Sequence, residues 1–252
     1  MIRHPPSLMR PRLLIAPFAL LSLLGLARVG HTQDVGGSNA EPIQPGDYLR
    51  LSGGVAAPVN AKGSLRDWKS GAGFSVAWES WQSGASGVGR AGFALTAAYN
   101  LLPLDEARFV SEFTPSSGGT TQSATASRAG ILEVTTNVKI RIPAPLVVPM
   151  VNIGLGLIDW HPGTIHYVAT TGSGTARQQH RTGLEFSLGG GIDRTIVDRF
   201  AIFGEAAYVF GYTSYGGGFT SPGGVCTAGG CDVLRNTTIV TARAGLRTRI
   251  GR

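Results

Sequence analysis

The sequence predicts an all-β chain: an eight-stranded antiparallel up-and-down transmembrane β-barrel with short periplasmic turns and long extracellular loops. Three observations predict it. Eight segments alternate apolar and polar residues, the connections between them alternate long and short, and the N-terminus has the make-up of an export signal.

Alternation is clearest at residues 131–142, ILEVTTNVKIRI. Leu132, Val134, Thr136, Val138, Ile140 and Ile142 fall on one side of an extended chain; Ile131, Glu133, Thr135, Asn137, Lys139 and Arg141 fall on the other. Successive side chains of a strand point to opposite faces, so the segment has one greasy face and one charged face. Similar segments run over 48–59, 71–82, 90–101, 130–142, 147–158, 181–193, 199–212 and 237–250. Turn-forming clusters separate them, and no convincing helical period is visible after the N-terminal region.

Connections after the first, third, fifth and seventh segments cover 60–70, 102–129, 159–180 and 213–236, or 11, 28, 22 and 24 residues. Those after the second, fourth and sixth cover 83–89, 143–146 and 194–198, or 7, 4 and 5 residues. In a meander this gathers every long loop at one end, as membrane barrels do. The segments also reach the roughly 9–11 residues that a tilted spanning strand needs. Loop 101–129, with its PSSGGTTQSATAS stretch, reads as mobile.

Alternation alone admits a soluble exported lipocalin-like barrel, apolar inside, as well as a membrane barrel, apolar outside. Three features favour lipid. The charged face is rich in small residues (Ser52, Gly54, Ala56, Gly73, Ser75, Gly92, Ala94, Gly154, Gly156, Gly189, Gly191), which suit a crowded concave lumen. That face carries a lumen charge network of Arg50, Glu79, Glu133, Lys139, Arg141, Glu185, Glu205, Arg243, Arg247 and Arg249. Buried charges need partners; Glu133 is expected to meet Lys139 or Arg141, and Glu185 or Glu205 to meet Arg243 or Arg247. Aromatics gather near segment ends: Trp78 and Phe200 at the lower end, Tyr99, Trp160, Tyr208, Phe210 and Tyr212 at the upper. Such girdles mark the two membrane interfaces.

Residues 1–33 read as a signal peptide, with a basic MIRHPPSLMRPR followed by the apolar LLIAPFALLSLLGLA. Cleavage after Ala27 and after Gln33 both fit. Residues 34–46 form a short periplasmic linker and 47–252 the barrel. The formal charge is +7, from 22 Lys and Arg against 15 Asp and Glu. Arg3, Arg10, Arg12 and Arg28 lie in the first 28 residues, and without them the balance is 18 against 15. The basic pI is thus partly a targeting feature, and no basic cluster elsewhere points to nucleic acid. Glycine is abundant at 37 residues and charged residues make up only 15%, as suits a Gly-rich barrel. In an exported protein, Cys226 and Cys231 read as a loop disulfide.

Strand phrases such as PMVNIGLGLIDW and FAIFGEAAYVFGY carry a resemblance. The chain, over about 46–252, is similar to small eight-stranded outer-membrane barrels of the OmpA/OmpX type. The resemblance implies the outer membrane of a diderm bacterium and says little of activity. One departure is the C-terminus: such barrels usually end in an aromatic residue, and this chain ends Arg249-Ile250-Gly251-Arg252.

The sequence assigns no catalytic, cofactor-binding or metal residue, and no cofactor. Its leading functional reading is a non-enzymatic barrel with a filled polar lumen and a structural or interaction role through four surface loops, in adhesion, binding or envelope integrity. The expected partners are outer-membrane lipid and an extracellular or host ligand of the loops; a monomer is expected. The alternative is a lipid-modifying enzyme. His161, His166 and His180 fall in the third long loop near Asp159, where a His, a hydroxyl and a carboxylate could meet. That loop is polar and Gly-rich, so incidental histidines on a solvated loop are the plainer reading. The GxG pairs Gly87–Gly89 and Gly154–Gly156 lack the strand–helix context of a nucleotide site.

Overall fold

The computed structural model describes residues 45–59, 65, 67–82, 90–142, 144, 147–177, 180–197, 199–213 and 237–250. The expected signal peptide, nearly all of the expected linker and the Cys226–Cys231 pair lie outside the described residues. The barrel strands are β1 (Gly46–Pro58), β2 (Gly71–Trp81), β3 (Arg90–Leu102), β5 (Ala129–Arg141), β6 (Val148–His161), β9 (Arg181–Val197), β10 (Phe200–Thr213) and β11 (Thr237–Ile250). They form one closed antiparallel barrel in the order β1-β11-β10-β9-β6-β5-β3-β2. Closure runs from Asp47 opposite Ile250 to Pro58 opposite Ile239. A closed ladder satisfies its own backbone groups, which is what lets strands cross hydrocarbon.

Each expected strand is present within a few residues of its expected ends. The connections hold structure that the period-two reading did not anticipate. Helix α1 (Glu106–Glu112) follows β3. Asp105 caps it by accepting from the Arg108 backbone N–H, and Arg108 bonds Glu112 one turn on at 3.1 Å. Strands β4 (Thr121–Ala126), β7 (Thr164–Ala169) and β8 (Gly172–Arg177) form a separate three-stranded sheet in the order β4-β7-β8. Segment 101–129, expected to be mobile, is therefore ordered. The reason is burial: Phe109 and Phe113 stack at 4.6 Å, and Phe113 meets Tyr167 of β7 edge-on at 5.0 Å.

The two faces of the wall decide between lipid and water. Val138 is 56% exposed while its neighbour Lys139 is 2% exposed. The inversion holds around the barrel: Leu51, Phe74, Leu95, Val134, Ile153, Leu155, Leu184, Ile202 and Leu246 are exposed, and Arg50, Glu79, Glu133, Arg141, Glu185 and Arg247 are buried. A soluble lipocalin-like barrel would show the reverse, so that alternative fails. Inward glycines make room for neighbouring side chains. A Cβ on Gly92 would sit 2.5 Å from the Trp81 ring, and one on Gly154 would collide with Ser187 and Asn137.

Exposed aromatics lie near both rims. Trp78 and Phe93 meet edge-on at 6.4 Å near the periplasmic end, where Phe200 is also exposed. Phe74 and Tyr99 meet at 5.9 Å toward the other end, with Tyr208 and Tyr212 exposed beyond the β9–β10 midpoint. Trp160 departs from this expectation. It is fully buried and packs edge-on to Trp68 at 5.8 Å. Its parity explains this: Trp160 shares the inward face of β6 with Ile158 and Asn152.

Candidate functional site

Two polar assemblies invite a functional reading: the lumen and a cluster on the outside of the extracellular rim. The lumen is layered. In its periplasmic half, Glu79 accepts from Arg50 and from Lys139, both at 2.7 Å, and lies 3.8 Å from Arg141. Arg50 also donates to Glu205 at 3.0 Å, and Lys139 lies 3.7 Å from Glu205. Asp193 takes Arg141 at 2.5 Å and Arg247 at 3.1 Å. Lumen aromatics cover the guanidinium faces: Phe203 under Arg50, Trp81 under Arg141, Tyr48 under Arg247, at 3.6, 3.6 and 4.7 Å. Trp81 Nε1 also donates to Glu79 at 3.1 Å.

Higher up, Asn100 donates to Glu133 and accepts from Arg243 at 3.1 Å, while Arg243 stands 3.6 Å from Glu133. Thr135 donates to Glu185 at 3.0 Å. Above this layer the lumen becomes apolar. Ala56, Leu102, Ile131, Ile158, Val209 and Ile239 from the wall pack with Leu65, Trp68, Leu104, Phe109, Ile165 and Tyr167 from the connections.

The structure thus brings most of the sequence-selected charges together, with different pairings. Glu133 meets Arg243 and neither Lys139 nor Arg141. Those two lie six and eight residues along the same strand, which at ~3.3 Å per residue is roughly 20 Å or more away. Glu205 pairs with Arg50 and Lys139, and Arg247 with Asp193. Arg249 sits at the periplasmic mouth, where it donates to the Pro45 carbonyl at 3.0 Å. Asp193 and Asn100 were missed as network members. The alternation of β9 already put Asp193 on the polar face, one signal that could have found it. Together, Arg50, Lys139, Arg141, Arg243 and Arg247 stand against Glu79, Glu133, Glu185, Asp193 and Glu205, so the described network balances.

The second assembly is on the opposite face of the wall. Outward positions on β6 run Val151, Ile153, Leu155, Leu157 and then Asp159 and His161. On β9, Thr182 precedes the outward Leu184, Phe186 and Leu188, and Asp159 lies opposite Thr182. Extending that register by two residues sets His161 opposite His180, and their rings stack at 4.2 Å. The two Nε2 atoms reach opposite oxygens of Asp159, His161 at 2.5 Å and His180 at 2.7 Å. Thr182 Oγ1 donates to the same carboxylate at 2.6 Å. Of the three histidines the sequence offered, His161 and His180 converge with Asp159. His166 lies apart, exposed on β7 opposite Thr125 and Thr175.

A closed barrel of eight antiparallel strands, lipid-facing outside and filled inside, defines the class: a small transmembrane β-barrel of the outer-membrane type. Among solved structures, the chain is similar to Neisserial surface protein A, at 13% identity and TM-score 0.42, over 81% of this chain and 97% of that one. It is also similar to the outer membrane enzyme PagL, at 11% identity and TM-score 0.36, over 81% and 99%. A third is Ail of Yersinia pestis, solved with the heparin analogue sucrose octasulfate, at 14% identity and TM-score 0.35, over 80% and 99%. No protein-family model and no curated protein matches the chain.

Proposed function

We propose that the protein is a closed outer-membrane barrel with a structural and interaction role, holding a rigid extracellular platform above the membrane for adhesion, binding or envelope integrity. The observation that carries this reading is the filling of the lumen. Paired charges occupy its periplasmic half and an apolar cluster closes its extracellular end. An eight-stranded barrel has an interior just wide enough for side chains to fill. The α1 helix and the β4-β7-β8 sheet rest on that apolar cluster and form the platform. A lumen so filled passes no steady ion current. Purified protein in planar bilayers should therefore leave the membrane at baseline; a steady unitary conductance would overturn the reading.

A second reading, a lipid-modifying enzyme, draws on Asp159, His161 and His180 at the rim. Acyl transfer by such a group needs a nucleophile bonded to the base. Here the neighbouring hydroxyl, Thr182, donates to the carboxylate and leaves the imidazoles aside, which favours the non-enzymatic reading. Lipid A mass spectra from cells with and without the gene should be identical; a changed acylation pattern would promote the enzyme.

A further inference from the structure

We infer that Asp159, His161 and His180 form a binding site for a borderline divalent transition metal, such as zinc, on the outer face of the barrel at its extracellular rim. Their donor atoms all lie within 4.8 Å of one another. Two imidazole nitrogens and one carboxylate oxygen are a three-ligand set that suits zinc and leaves a fourth position to water.

Geometry, and not composition alone, supports the assignment. Asp159 and His161 alternate on β6, Thr182 opens β9 with His180 just before it, and continuing the antiparallel register brings the two pairs together, with the imidazoles stacked. Asp159, His161 and Thr182 project from paired strand positions and His180 directly precedes β9, so little chain order remains to be supplied on binding. Both imidazoles present Nε2 to the same carboxylate, one to each oxygen. Zinc bonds of ~2.0–2.2 Å place tetrahedral ligand atoms about 3.3 Å apart. The present 2.5 and 2.7 Å separations need to open by well under 1 Å, and the side chains of His161 and His180 are 54% exposed, which leaves room for that change. Thr182 supplies the outer hydrogen bond that holds a ligating carboxylate in place.

The location gives the site a consequence. The cluster stands one cross-strand pair above Leu157 and Leu184, the last apolar pair on these two strands. A metal there is held at the level where lipid gives way to headgroups, and it ties β6 to β9. Binding to the folded barrel alone raises stability by mass action.

The test uses the full chain, without a polyhistidine tag, folded in detergent micelles, stripped with chelator and titrated with zinc chloride. Wild type should bind one zinc per chain, and zinc should raise its urea unfolding midpoint. His161→Ala and His180→Ala should each weaken binding at least tenfold and abolish the zinc-dependent shift. Thr182→Val should weaken it about tenfold, and His166→Ala should leave it unchanged. Gel mobility of unheated samples verifies that each variant is a folded barrel. No zinc binding by wild type, or equal binding by the folded His161→Ala/His180→Ala double variant, would overturn the site.

Discussion

The two halves of the lumen are closed by opposite chemistry. Toward the periplasm the filling is ionic and comes from the strands themselves: Arg50, Glu79, Lys139, Arg141, Asp193, Glu205 and Arg247 all occupy inward positions of β1, β2, β5, β9, β10 and β11. Toward the cell exterior the filling is apolar, and much of it comes from the connections: Leu65, Trp68, Leu104, Phe109, Ile165 and Tyr167. The difference follows from what each end can recruit. The periplasmic turns are too short to fold back, so the strands must fill the space with long side chains of opposite charge that pair with one another. The extracellular loops are long enough to fold in and bring aromatic bulk. Each half should therefore fail in its own way when a single side chain is removed.

The largest expected loss is at Glu79. This carboxylate is fully buried and shared by Arg50, Lys139 and Arg141. Glu79→Ala leaves several buried cations short of an anion, and removing one partner of a buried ion pair costs about 3–5 kcal/mol. Reversible urea unfolding in detergent or vesicles measures it. A loss below about 1 kcal/mol would mean that water screens the periplasmic half and that its charges are not a filling at all.

The extracellular half should lose somewhat less. Ile131 is fully buried at the junction between polar and apolar layers. Ile131→Ala deletes apolar volume without stranding a charge, at a cost of about 2–4 kcal/mol from lost transfer energy and the cavity left behind. The same unfolding titration gives the comparison directly. A cost above that of Glu79→Ala would reverse the ranking of the two halves and make the apolar cluster the main lock on the lumen.

The same contrast explains how much was legible in the sequence. A strand in a barrel wall obeys a period of two, so the eight wall strands and their two faces could be read from alternation; the small residues, the matched charges and the aromatics at strand ends pointed the apolar face at lipid and the charges inward. Partner choice could not, because contacts across the lumen depend on strand order and shear: Glu133 finds Arg243, more than a hundred residues away, while Lys139 on its own face is out of reach. Trp160 is expected in the upper girdle from its place near a strand end; β6 runs on to His161, and its alternation turns Trp160 inward. The connections follow no long period. Helix α1 spans two turns only, and its cues were local: Asp105 as cap and Phe109–Phe113 spaced by four. The β7–β8 hairpin was signalled by the alternating TIHYVA before Thr170-Thr171-Gly172, and without its packing partners the stretch resembled solvated loop. The rim cluster is half legible: the sequence places Asp159, His161, His166 and His180 in one connection, but only the register of β6 on β9 puts His161 against His180.

The smallest effect is expected in the middle layer, where the two fillings meet. Among the described residues, Glu133 faces one cation, Arg243, at 3.6 Å. Glu133→Gln keeps the oxygen that accepts from Asn100, and Arg243 keeps its own bond to the Asn100 carbonyl oxygen. The substitution weakens one attraction and leaves the other hydrogen bonds of the layer in place. The net change should be about 1 kcal/mol or less, the size of one ordinary hydrogen bond. The pairing geometry, more than burial itself, then sets the cost of losing a lumen carboxylate: Glu79 and Glu133 are similarly buried, but only Glu79 is shared among three cations. A loss at Glu133 as large as that at Glu79 would show instead that desolvation dominates and that the whole network behaves as one unit.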